Sequence, residues 1–282
     1  MKTLSRPSSL VAALAVSLGA AGLIGPSTAP AQGFERVDLE LVLAVDVSQS
    51  MDNDEHRLQR LGYAEAFRHE DVIDSIVYGA ASGVAVTYVE WGDAYAQNTV
   101  VEWSVIRTRE DALRFADELE STNVFPERRT SISGALRHAA DLIDNNNYDG
   151  LRKVIDISGD GPNNAGGLVT DARDEVVGRG IVINGLPILL NDTLEWYDIP
   201  DLDLYYEDCV IGGPGSFIAP VHSIEELGAT IRSKLVLEIA GLPWQMQEGR
   251  VIPAQFFMEG EEEESVNCLV GEQMLGRGNR FR

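Results

Sequence analysis

The sequence predicts an α/β fold, a doubly wound and mostly parallel six-stranded sheet with one antiparallel edge strand and helices on both faces. Three observations predict it. Residues 39–46 form an apolar run too continuous for a half-exposed strand. Short runs rich in Val and Ile then alternate with stretches of helical period, the rhythm of βαβ units. One pair of strands lies too close in sequence for a helical crossover.

Residues 39–46, Leu-Glu-Leu-Val-Leu-Ala-Val-Asp, read as a central parallel strand ending on a carboxylate. A polar turn leads to a helix from about Asp54, capped by Asp52 or Asp54, with Leu58, Leu61, Ala64 and Phe67 on its inner side. Residues 84–91 and 98–106 are the second and third strands. Gly92-Asp93 and a few polar residues between them dictate an antiparallel hairpin, which makes the third strand an edge. Thr108-Arg109-Glu110-Asp111 is a capping start for a helix to about Glu120. The clearest helix spans 131–147, where Ile132, Ala135, Leu136, Ala139, Leu142 and Ile143 recur on one face. A strand at 153–158, a helix at 170–179 and strands at 180–189 and 217–221 follow. Ser223-Ile224-Glu225-Glu226 reads as a capping box opening a helix to about Ala240. This Rossmann-like order places ligands at the carboxyl ends of the strands.

The two ends of the chain have another character. Lys2 and Arg6 precede an apolar stretch at 10–24, and small residues up to Ala31 suit a cut after that residue, so 1–31 reads as a secretory signal peptide. The stretch is shorter than the roughly 20 residues that span a bilayer, so the expectation is a periplasmic or secreted protein with no stable membrane insertion after cleavage. Residues 35–241 then form the domain, and 242–282 an acidic, mobile tail that includes Glu259 and Glu261 to Glu264. Export permits a bridge between Cys209 and Cys268. Such a bridge closes a loop of about 60 residues and adds about 4 kcal/mol in the chain-entropy model. The sequence alone leaves open whether the pair is bridged or free.

With 45 acidic and 22 basic side chains the formal charge is −23, which argues against nucleic acid as a partner. Cleavage after Ala31 removes two bases and no acid, so the acidity belongs to the exported protein. The four histidines lack metal-ligand spacing, and the glycines at 212–215 lack the lysine of a phosphate loop.

Asp46-Val47-Ser48-Gln49-Ser50 stands at the edge where a site is expected. Alternate spacing sends Asp46, Ser48 and Ser50 to one side, and an oxygen-only set suits a hard cation such as Mg²⁺. Thr130 stands before the strongly periodic helix, and Ser158-Gly159-Asp160-Gly161 follows the fourth strand, both at the same edge.

These three segments, in order and spacing, resemble the metal-ion-dependent adhesion site of von Willebrand factor A-type domains. The resemblance covers roughly residues 37–241, including the antiparallel edge hairpin. It implies Asp46, Ser48, Ser50, Thr130 and Asp160 as ligands of Mg²⁺, with Mn²⁺ or Ca²⁺ as alternatives, directly or through water. Asp156, which shares strand parity with Ser158 and Asp160, is a candidate for the shell behind them or for pairing with a nearby Arg, and Asn163 and Asn164 are candidates for that shell or for a turn. Arg128-Arg129 stands where many relatives have glycine, and Ser133 replaces a second threonine. Residues 158–164 and 208–215 resemble more narrowly a family of secreted bacterial A-domain proteins of unknown function.

The resemblance implies a protein partner that presents an Asp or Glu to the metal, and hence a binding module rather than an enzyme. Two alternatives remain: a Mg²⁺-dependent hydrolase of phosphate or ester substrates, and a structural envelope protein with a vestigial site. No Gly-x-Ser-x-Gly elbow occurs, Ser48 stands where an Asp-x-Asp phosphatase has its second Asp, and His56 is the nearest candidate base.

Overall fold

The computed structural model describes residues 33–190, 199–241 and 266–278; the expected leader and the acidic run ending at Glu264 lie outside them. β1 (Glu35–Asp46) is the middle strand because it is apolar on both faces. Leu39, Leu41, Leu43 and Val45 enter one core, and Val42 and Ala44 the other. Parallel partners flank it, β2 (Val84–Trp91) on one side and β4 (Tyr148–Gly159) on the other. β3 (Gln97–Ile106) returns antiparallel along β2, and β5 (Val182–Pro187) runs parallel beyond β4, giving the order β3-β2-β1-β4-β5.

Helices α1 (Asn53–Arg68), α2 (Glu70–Gly79), α3 (Arg109–Glu120) and α7 (Ile224–Ala240) contribute to the core on the Leu39 face. On the opposite face lie α4 (Ile132–Asp144), α5 (Val169–Gly178) and the short α6 (Leu202–Tyr205), which runs into a π-helical turn, Tyr206–Val210. A last helix, α8 (Val270–Gly278), follows a disulfide between Cys209 and Cys268. The described part of the expected tail is thus helical and tethered, and Val266, Cys268, Val270 and Met274 pack on the second core. Among the described residues no helix is long and apolar enough to cross a membrane.

Several elements differ from expectation. Among the described residues the sheet has five strands rather than six. Residues 217–221 do run parallel to β5, with Gly185 N donating to Phe217 O and Ala219 N to Gly185 O. Pro187 has no N–H to supply the next rung, so the pairing breaks into isolated bridges. The inner face of α1 is rotated from the expected one: Leu58 is exposed, while Gln59 and Arg60 are buried. Arg60 is paired there, while Gln59 is satisfied only through its amide nitrogen, its Oε1 being buried without a hydrogen-bond partner among the described residues. Gln59 Nε2 donates to Ser158 Oγ at 2.9 Å, and Arg60 pairs with Glu90 and donates to Thr122 O at 2.6 Å. α2 follows α1 after the single extended residue His69, whose Nδ1 accepts from Asp71 N. Ser223 does cap α7, but its side chain makes no capping hydrogen bond.

Asp156 is the largest departure. Its carboxylate faces α7, where Lys234 Nζ lies 2.6 Å away and also contacts Glu238. Asn184 Nδ2 donates to Glu238 Oε1 at 2.9 Å, and the ammonium lies 5.3 Å from the Phe217 ring centre. Asp156 therefore belongs to a buried charge cluster, not to the shell behind Asp46. Burial, and then the charge of Glu238, push its carboxyl up to about 7 despite the attraction of Lys234.

Two outcomes follow from this cluster. Lys234→Met leaves two facing carboxylates without their cation and should lower stability by about 3–5 kcal/mol in urea unfolding. A raised carboxyl holds its proton in the folded chain after the unfolded chain has lost it. The contribution of Asp156 is therefore full below the unfolded value of 3.8 and declines as pH rises to about 7. Asp156→Asn should flatten that slope in a pH series of unfolding midpoints.

Candidate metal centre

β1 delivers Asp46 to the carboxyl edge of the sheet, where its side chain is fully buried. The loop after it is fixed from several directions. Val47 N donates to Trp91 O, Glu127 N to Val47 O at 2.7 Å, and Ser48 N to Asp46 Oδ1 at 2.7 Å. Asp52 and Glu55 form a reciprocal capping box at the start of α1. His56 Nε2 sits 3.0 Å from Ser48 O, and burial lowers the proton affinity of the ring, which favours neutral imidazole.

Four of the expected side chains form one connected set. Ser48 Oγ lies 2.9 Å from Ser50 Oγ, Ser50 Oγ donates to Asp160 Oδ1 at 2.6 Å, and Thr130 Oγ1 donates to Ser48 Oγ at 3.3 Å. Asp46 joins them through the Ser48 amide. Asn164 holds Thr130 from both sides: its Oδ1 accepts from Thr130 N at 3.0 Å, and its N donates to Thr130 O at 2.8 Å. Asn163 Oδ1 accepts from Ser133 N at 3.0 Å, fixing the start of α4.

Three features of the site have roles that the sequence reading does not assign. Gly159 is one, because a β-carbon there would stand 2.8 Å from both Asp46 Oδ2 and the Tyr206 hydroxyl. Tyr206 is the second; its fully buried hydroxyl has no hydrogen-bond partner among the described residues, and burial followed by the charges of Asp46 and Asp160 raises its pKa. The third is Tyr205, whose hydroxyl accepts from Asn163 N at 3.1 Å. All three are brought in by chain remote from the Asp-x-Ser-x-Ser segment.

The electrostatics call for positive charge. Asp46 Oδ2 is buried without a hydrogen-bond partner among the described residues. Burial first, then the charge of Asp160, hold the Asp46 carboxyl well above its usual range, against the hydrogen bonds from Ser48. Two carboxylates and three hydroxyls at one point, with no cluster of three or more His, Cys, Asp or Glu among the described residues, is the donor chemistry of a hard divalent cation. The residues present fit such an ion.

A mostly parallel sheet closed by one antiparallel edge strand, with helices on both faces, is the fold of von Willebrand factor A-type domains. Within that class the chain belongs to the family described as Protein of unknown function (DUF1194), whose model matches residues 36–243. Solved structures agree on the fold. Proximal thread matrix protein 1 from the mussel byssus, with a zinc-occupied MIDAS motif, is 15% identical with a TM-score of 0.52, over 73% of this chain and 48% of that one. The pilus adhesin SpaC from Lactobacillus rhamnosus GG is 14% identical with a TM-score of 0.52, over 71% of this chain and 30% of that one. The vWF domain of the type V pili tip protein Mfa5 from Porphyromonas gingivalis is 11% identical with a TM-score of 0.50, over 73% of this chain and 96% of that one. The chain thus spans about half the mussel protein's length and less of SpaC. No curated protein matches the sequence.

A buried carboxylate oxygen without a partner destabilises the metal-free fold by roughly 1–3 kcal/mol or more. Asp46→Asn keeps an acceptor for the Ser48 amide and removes the charge. Its expected effect in EDTA at pH 8 is a gain of about that size in urea unfolding, and a loss would contradict the account of the site.

Proposed function

We propose that the chain is an exported protein-binding module in which Asp46, Ser48, Ser50, Thr130 and Asp160 hold a divalent cation that accepts a carboxylate from a partner protein. Mg²⁺ is the expected ion, with Mn²⁺ or Ca²⁺ as alternatives. The observation that carries this reading is the hydrogen-bonded set of Ser48, Ser50, Thr130 and Asp160 oxygens beside Asp46, whose Oδ2 is buried and unpartnered among the described residues. Two carboxylates only neutralise a divalent ion, and hydroxyls add no charge. The ion would therefore keep enough Lewis acidity to take an acidic side chain from outside.

The protein's own part is to orient and to exclude. Asn164 fixes Thr130, the Ser48 amide orients Asp46, and the Tyr206 ring and Gly159 close the inner side of the site. Among the described residues no base is poised beside it for hydrolysis. His56 is turned to the Ser48 carbonyl and buried, which weighs against the hydrolase alternative. The zinc-occupied motif of the mussel protein supports a metal at this position, and the pilus proteins among the similar structures support an adhesive role outside the cell.

Native chain and Asp46→Ala should separate clearly in a two-part measurement. Mg²⁺ or Mn²⁺ at a hundredfold excess over Kd should stabilise the native chain by about 2.7 kcal/mol, read as a rise in thermal midpoint. Capture of a partner from envelope extract should require the metal and fail with EDTA or with Asp46→Ala. Equal midpoints with and without metal, and equal captures, would favour a vestigial site.

A further inference from the structure

We propose that Glu272, on the disulfide-tethered helix α8, is a positioning residue for the metal centre, so that the working site extends beyond the domain to which the family model applies. The proposal rests on the reading above of the site as a metal centre. Its basis is Asn163, which is fully buried next to the residue that holds Thr130. Asn163 N donates to the Tyr205 hydroxyl, Oδ1 accepts from Ser133 N, and Nδ2 donates to Gly167 O at 3.0 Å. The remaining Nδ2 hydrogen goes to Glu272 Oε1 at 2.7 Å. Every polar group on the asparagine side chain is then used, and the last partner comes from residues that follow position 243, where the family match ends.

The approach of α8 to this loop is close and specific. A β-carbon on Gly271 would stand 2.2 Å from Asn163 O, so only glycine lets the helix lie against the loop backbone. The Cys209–Cys268 bridge anchors the segment one turn earlier, and Val266 N donates to Asp208 Oδ2 at 3.0 Å. Cys209 lies in the π-helical turn that begins at Tyr206, the residue behind Asp46. One covalent link therefore joins the turn behind the site to the helix that clamps the loop in front of it. Without Glu272 the Asn163 amide loses a restraint, and the Asn163-Asn164 pair can shift Thr130 and the start of α4 together.

The test is Mn²⁺ titration by calorimetry on the full chain with its disulfide intact, comparing native, Glu272→Ala, Glu272→Gln and Asp46→Ala. Outer partners of metal ligands typically set affinity by 10–100-fold. The expected result is about tenfold weaker binding for Glu272→Ala, near-native binding for Glu272→Gln, which keeps the acceptor oxygen, and none for Asp46→Ala. Hydrogen exchange of the amides at 163–167 in EDTA should be faster in Glu272→Ala than in the native chain. The double variant Cys209→Ser/Cys268→Ser should show the same weakening by releasing α8. Native binding with Glu272→Ala unchanged in affinity and exchange overturns the proposal alone. Failure of the native chain to bind Mn²⁺ overturns the metal reading, and this proposal with it.

Discussion

The site depends on one constraint: a strand buried on both faces must end in a buried carboxylate. β1 sits mid-sheet because it is apolar toward both helical layers, and the same burial removes water from Asp46. The neighbouring loops are arranged around that charge. Val47 bonds the end of β2 and the Glu127 amide, Ser131 N donates to Gly92 O, and Asn164 N donates to Thr130 O. The three segments that supply oxygens are thereby joined by main-chain hydrogen bonds. A hydroxyl placed by such a network loses little freedom on meeting a cation, which is how a site made largely of neutral oxygens can bind one.

Asp46 and Asp156 show why position along a strand matters as much as which face a residue occupies. Both are fully buried and both have a carboxyl raised by burial. Asp46 lies at the strand end, facing Asp160 across loops. Asp156 lies three residues before the end of β4, and there Lys234 reaches it from α7. Alternation along β4 correctly groups Asp156 with Ser158, since Ser158 also faces the α1 layer through Gln59. It carries no information about depth, or about a lysine brought in from a distant helix. The likeness in sequence therefore hides two different solutions, an internal cation for Asp156 and, on the proposed reading, a bound ion for Asp46.

The same limit explains which parts of the molecule were legible. Hydrophobic period located the central strand, the hairpin and α4, because those elements are stabilised by apolar burial that the period records directly. That the candidate oxygens meet at one edge of the sheet was legible through their order at strand ends. What failed rests on long-range polar pairing or on a single missing donor. Gln59 and Arg60 read as solvent-facing until Ser158 and Glu90 are known, and Pro187 looks harmless in a strand until its neighbour needs an N–H. Gly159, Tyr206 and Glu272 are silent for the same reason. Each matters only through what stands opposite it.

Net acidity then acquires a specific consequence for order of events. Much of the described surface charge is paired locally: Arg68 reaches Asp117 and Glu120, and Arg179 reaches Asp141, Asp144 and Glu175. Exposed pairs of this kind contribute about 0–1 kcal/mol each, so they moderate the field rather than hold the fold. At the site itself two carboxylates lie near one another, Asp46 fully buried and Asp160 partly exposed. A free acidic side chain approaching that point meets repulsion over the roughly 8–10 Å that salt leaves unscreened. On the proposed reading, metal must therefore precede partner, and adhesion is conditional on cation supply because the same two acids that recruit the ion would otherwise repel the ligand.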